Sequence, residues 1–242
     1  MPSGGPDFER APEDATIHSV MDLAEQAARV GSIVTFHRGG EVYWLDDFEA
    51  SVLKWDVLTS GTGAAVALST VQSRNGVQSV LLTAGSDGGQ TVQIFRSVGT
   101  PSGNLVGIEF SLITDSLPAS VRLDVDFYDG TNIRSFRLFL DYTNDRVQIN
   151  RDVGGLVTVL DPLDWFGGNF VVHTVKLVVN RSTGAYVRFF LDNRSVDLSN
   201  FTGAGDTNTR GPSVETRIYN NGDSGVNDTV YIDDFILTHN EP

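Results

Sequence analysis

From Ser32 to the C-terminus, apolar residues recur at every second position in one short run after another, a period that fits strands rather than helices. Such runs are predicted at 33–37, 41–46, 64–71, 79–84, 91–97, 105–113, 121–128, 134–142, 146–151, 156–160, 171–179, 186–192, 214–219 and 229–238. In one of them Val121, Leu123, Val125 and Phe127 point one way, while Arg122, Asp124, Asp126 and Tyr128 point the other. Turns rich in Gly and Asn separate the runs, and Arg38-Gly39-Gly40 reads as the turn of a hairpin. Many short strands and a single helix imply an all-β fold, an antiparallel sandwich of two sheets. Phe139 and Phe190 fall out of phase with their neighbours and mark a covered patch on the outer face.

The helix belongs to the start of the chain. Residues 1–11 are rich in Pro and Gly, and Pro12-Glu13-Asp14 then supplies a helix opening, with proline in the first turn and acids facing the helix dipole. Ile17, Val20, Met21, Ala24, Ala27 and Ala28 repeat at helical spacing until Gly31. That apolar stripe is thin and half alanine, so the helix needs a surface to lie on. The chain therefore divides into an N-terminal arm, 1–31, and one sandwich domain, 32–242.

Two acidic motifs bracket the sandwich. Trp44-Leu45-Asp46-Asp47-Phe48-Glu49, with Trp55 shortly after, stands near its start, and Tyr231-Ile232-Asp233-Asp234-Phe235 near its end. A carboxylate inside an apolar strand is costly unless a cation or a hydrogen-bond donor meets it. The pair predicts that the first and last strands lie together, joined either by an ion or by backbone amides and arginine.

The net charge of −14 argues against nucleic acid, which needs clustered Lys and Arg. Of the 31 acids 23 are Asp, a bias that suits both turns and oxygen-ligand calcium sites. The absence of cysteine excludes disulfides, thiolate metal sites and a Cys nucleophile. No apolar run is long enough to cross a bilayer, and the N-terminus lacks the basic and apolar regions of a signal peptide. His18, His37, His173 and His239 show no metal-ligand spacing, and His173 reads as a structural hydrogen-bonder. Neither GxSxG nor a Walker loop occurs, and the chain is expected to be non-enzymatic.

The acidic motif with Trp55, Gly76-Val77-Gln78-Ser79 and the closing Tyr-Ile-Asp-Asp-Phe resemble carbohydrate-binding modules of the β-jelly-roll type. The segments 173–179, 183–187 and 190–192 are similar to concanavalin A-like sandwiches. The first resemblance implies a structural calcium ion held by Asp47 or Glu49 and by Asp233 or Asp234, with Asp233 the better match of that pair. The second would imply a Glu-x-Asp-x-x-Glu catalytic strand, which is absent. Its nearest counterpart, Asp124-x-Asp126, is expected to be a solvated strand face. A sugar site would need an exposed aromatic platform, for which Trp165 and Phe166 in a loop after Asp161-Pro162 are the candidates; the same loop could contact a protein neighbour.

The opening segment from Leu23 to Phe48 resembles accessory structural proteins encoded in tailed-phage genomes. It implies an assembly role on a virion or a particle built in the cytoplasm, the arm residues Ile17, Val20, Met21 and Ala24 binding other protein subunits. The alternative is a calcium-stabilised carbohydrate-binding module with a glycan as its partner.

Overall fold

A computed structural model describes residues 40–87, 90–114, 117–161, 163, 170–223 and 225–242. The arm with its predicted helix and the predicted strand 33–37 lie outside the described residues, as do Trp165 and Phe166. Among the described residues no helix is long and apolar enough to cross a membrane.

The strands in chain order are β1 (Glu41–Asp46), β2 (Asp56–Thr59), β3 (Ala65–Ser69), β4 (Ser79–Thr83), β5 (Thr91–Gly99), β6 (Leu105–Thr114), β7 (Ser120–Tyr128) and β8 (Asn132–Asp141). They continue with β9 (Arg146–Arg151), β10 (Gly155–Leu160), β11 (Val172–Asn180), β12 (Ala185–Leu191), β13 (Arg194–Asp197), β14 (Ala204–Thr207), β15 (Ser213–Asn221) and β16 (Thr229–His239). The first sheet runs β13-β12-β11-β6-β16-β4-β3 with β1 also on β16, and the second runs β10-β9-β8-β7-β15-β5-β2 with β14 also on β8. Every described strand pairing is antiparallel, and the chain crosses repeatedly between the sheets, giving the expected jelly-roll sandwich. Three strands escaped the periodicity: β2, β13 and β14 have four residues each, too few for alternation to register.

The two-residue period explains the layering. Val121, Leu123 and Val125 of β7 and Ile108, Phe110 and Leu112 of β6 are at most 1% exposed, and they meet between the sheets. Tyr186 of β12 crosses that core. Its hydroxyl accepts the Arg137 N–H at 2.9 Å and donates to the Asn150 carbonyl at 2.7 Å, tying the first sheet to β8 and β9 of the second. Burial pushes this phenol well above its ordinary value, so it stays a donor.

Candidate functional site

The two acidic motifs meet as expected, with Asp46 opposite Phe235 in the β1–β16 pairing. Strand β16 has β6 along one edge. Its other edge is shared: β4 pairs with Thr229–Ile232 and β1 takes over from Phe235. Asp233 and Asp234 stand in the gap, at a bulge where Asp234 adopts a left-handed backbone, φ 50°. The fully buried Asp233 carboxylate replaces the missing ladder, accepting the N–H groups of Arg74 at 2.7 Å and Asn75 at 3.2 Å through Oδ2, and of Asp234 through Oδ1. Glu49 Oε1 accepts the N–H groups of Val77 and Gln78 from the same loop. Gly76 between them is left-handed, and a Cβ there would collide with the Glu49 carboxylate. Asp234 accepts the Asn75 amide at 2.7 Å, and Asp47 accepts the Glu49 N–H at 3.2 Å.

Glu49 and Asp233 direct their oxygens at N–H donors, and among the described residues no three metal-capable side chains form a cluster. Burial and the adjacent Asp234 charge push the Asp233 carboxyl from 3.8 up to about 6. An acid raised in this way stabilises the folded state below its ordinary value and loses that contribution as pH climbs through about 6. Asp234→Asn removes the neighbouring charge at a backbone conformation that asparagine tolerates. It is expected to flatten the decline in melting temperature between about pH 4 and 6, an unaltered slope refuting the coupling. The same melts in calcium and in chelator are expected to coincide, and a higher midpoint in calcium would place an ion at this corner.

A second polar constellation lies on the outer face of the second sheet, where sequence reasoning expected water. Asp124 is 2% and Asp126 4% exposed, which corrects the solvated strand face anticipated for them. Arginines from three strands close over the carboxylates: Arg122 Nε lies 3.1 Å and Arg137 Nε 3.7 Å from Asp124, while Arg217 reaches Asp126 at 2.7 Å and also pairs with Glu215. Arg210 holds Glu215 at 2.6 Å and lies over the Tyr128 ring.

The strand register arranges these groups in three rows across the sheet. The first is Gln93, Tyr219, Arg122, Phe139 and Gln148, contributed by β5, β15, β7, β8 and β9 in turn. The second is Phe95, Arg217, Asp124 and Arg137, and the third Ser97, Glu215, Asp126 and Ser135. With strands about 4.8 Å apart, the first row extends about 19 Å, the length of several linked sugar rings. Aromatic rings and hydrogen-bonding heads alternate along it. The Arg122 guanidinium sits 3.7 Å from the Tyr219 ring centroid and 5.8 Å from that of Phe139, the out-of-phase phenylalanine noted in the sequence. Phe190 proves to be the corresponding covered position on the other sheet, under Arg188.

The electrostatics of this face follow from crowding. Burial pushes the Asp124 carboxyl up, opposed by Arg122 and Arg137. Burial acts likewise on Glu215, but hydrogen bonds from Arg210 and Ser97 outweigh it and hold that carboxyl low. Burial and the Asp124 charge raise the Tyr219 phenol. Gln93 is 9% exposed, and its Oε1 has no hydrogen-bond partner among the described residues. A buried amide oxygen without a donor costs about 1–3 kcal/mol, so it marks a place where a donor is wanted.

The described histidines serve elsewhere. His173 Nδ1 and the Thr174 N–H both meet the Asp192 carboxylate, at 2.7 and 2.9 Å, the structural role expected of that residue. His239 lies beside Glu41 and Ser102.

No protein-family model matches the chain, and no curated protein matches it in sequence. Solved structures match its fold. An endo-beta-1,4-glucuronan lyase from the fungus Trichoderma reesei aligns with a TM-score of 0.55 at 12% identity, over 82% of this chain and 95% of that one. The cellulose induced protein Cip1 aligns with a TM-score of 0.52 at 16% identity, over 81% and 96%. The CBM2 module of an evolved Dit from Lactobacillus casei BL23 phage J-1 aligns at 0.47 and 12% identity, over 82% and 95%. The first two alignments bear out the sandwich fold, and a shared fold transfers no activity by itself.

Proposed function

We propose that the protein is a non-catalytic glycan-binding sandwich whose recognition surface is the outer face of its second sheet. The observation that carries this reading is the row from Gln93 to Gln148, in which rings and hydrogen-bonding groups alternate across five strands around an amide oxygen without a donor. Sugars offer what such a row accepts: hydroxyls for its polar side chains, and apolar C–H groups for the part of the Tyr219 and Phe139 rings that Arg122 leaves exposed. The fold neighbours named for a glucuronan lyase and for induction by cellulose lend polysaccharide context, though only as analogy.

The chemistry of the face favours binding over cleavage. Glycoside hydrolysis needs one carboxyl free to protonate the leaving oxygen and a second free to attack or to activate water. Here Asp124, Asp126 and Glu215 are each engaged by arginine. Burial raises the Tyr219 phenol, so near neutral pH it stays protonated and offers no phenolate as a base. The assembly reading of the arm and the platform reading of Trp165 and Phe166 rest on residues outside those described, so the face is the better-supported site.

Affinity electrophoresis against a panel of soluble plant, fungal and bacterial polysaccharides tests the proposal. At least one polymer is expected to retard the protein, and Tyr219→Ala to weaken that retardation about ten-fold, equivalent to about 1.4 kcal/mol. Prolonged incubation is expected to release no new reducing or unsaturated chain ends. Lack of retardation by every polymer would refute glycan binding, and chain shortening would refute a non-catalytic role.

A further inference from the structure

The identity of the ligand can be narrowed, on the premise that the second sheet binds glycans. The chain carries a net charge of −14, which repels polyanions from most of its surface. The middle of the second sheet departs from that balance. Arg210 and Arg217 are matched by Glu215 and Asp126. Arg122 and Arg137 share the single carboxylate of Asp124, so the local excess is one positive charge. Asp56, which could offset it, lies at the far end of the same row, beyond Phe95, Arg217 and Asp124. Four strand spacings, about 19 Å, separate it from Arg137, which exceeds the Debye length at physiological salt.

Arg137 also has donors to offer, while Arg122 beside it is stacked on the Tyr219 ring and adds its charge. The Arg137 side chain is 45% exposed, approaches Asp124 only to 3.7 Å, and makes no hydrogen bond among the described residues. Arg122 Nε is buried and lies 3.1 Å from Asp124 Oδ1 without the angle of a hydrogen bond. Two strands from Arg122 along the first row, Gln93 Oε1 presents the complementary need, an acceptor wanting a hydroxyl. A planar guanidinium with free N–H groups fits a carboxylate through two parallel bonds, a geometry that neutral sugars do not satisfy.

We propose that the face selects glycans whose sugars carry carboxylates, with a uronate carboxylate received at Arg137 in the field of Arg122 and a sugar hydroxyl donating to Gln93 Oε1.

The test uses the full chain and matched polymers: polygalacturonate, polyglucuronate and alginate, each beside its carboxyl-reduced counterpart. Isothermal titration is expected to show at least one acidic polymer binding about ten-fold or more tightly than its reduced form, and weakening in about 0.5 M salt. Arg137→Gln is expected to abolish that preference while the chain stays folded, since Arg122 still pairs with the buried Asp124. Arg137→Lys, which keeps the charge without the fork, substitutes for it should the glutamine variant melt early. Gln93→Leu is expected to weaken both forms. Equal binding of acidic and reduced polymers, or an unchanged preference in the Arg137 variants, would overturn the uronate assignment and leave glycan binding intact. Failure of every polymer in both forms would overturn glycan binding itself.

Discussion

Replacing Trp55 with alanine is expected to lower the melting temperature by about 6–20 °C, a loss of about 3–5 kcal/mol at 2–4 °C per kcal/mol for a chain of this size. Trp55 is 4% exposed and packs against Trp44, Phe48 and Phe235 with ring centroids 5.6, 6.1 and 4.9 Å away. Those rings come from β1, the turn after it and β16, so the indole is where the two ends of the domain meet. Its Nε1–H donates to Asp46 Oδ2 at 3.1 Å. The same carboxylate accepts the Phe48 N–H and the Lys54 ammonium, both at 3.1 Å. Phe48 holds a left-handed backbone, φ 55°, which a phenylalanine adopts only when packing and a hydrogen bond compel it. Loss of the indole therefore opens a cavity and loosens the contact that holds a strained turn. Thermal melts of Trp55→Ala and Trp55→Phe check this. A drop below about 2 °C for the alanine variant would show that the corner is not a major source of stability.

The second large effect is expected at the C-terminus. Glu241 has a fully buried side chain that reaches Lys176 Nζ at 2.8 Å, Arg188 at 3.2 Å and the Thr238 hydroxyl. Lys176 is itself 2% exposed, with Glu109 at 3.7 Å as its other carboxylate. An ammonium this deeply buried is tolerable only while its partners are present. Glu241→Ala removes the nearer one, and breaking such a pair costs about 3–5 kcal/mol. Equilibrium urea unfolding should show a midpoint well below wild type. Glu241→Gln, which keeps the shape and loses the charge, should fall between the two. A wild-type midpoint for the alanine variant would mean that Lys176 reaches water without penalty, contrary to its burial.

Much of the sandwich was legible because its signal is local. Alternation in β7 assigned Val121, Leu123, Val125 and Phe127 to one face, and all four are core residues. The phase breaks at Phe139 and Phe190 correctly marked rings covered on the outer faces. The acidic motifs announced that β1 and β16 would lie together, since carboxylates in apolar strands require a partner. Polar alternation, however, looks the same whether the outward face meets water or a layer of arginines. Asp124 and Asp126 were placed on the correct face and assigned the wrong environment for that reason.

The candidate binding face illustrates the same limit. Gln93, Tyr219, Arg122, Phe139 and Gln148 come from five strands scattered over much of the chain. Each residue sits on the polar phase of its own strand, which the sequence alone displays. Their alignment into one row depends on which strands are neighbours and on the register between them. A slip of one residue in any pairing would send a whole strand's polar set to the opposite face. The residues themselves thus determined the sandwich, its inner and outer faces and the closure of its ends, because burial of alternate side chains is a property of each strand. The tertiary structure alone decided that arginines shield Asp124 and Asp126, that amides meet Asp233, and that rings and hydrogen-bonding groups alternate across the second sheet. Those features arise between strands, from strand order and register, and no single segment carries that information.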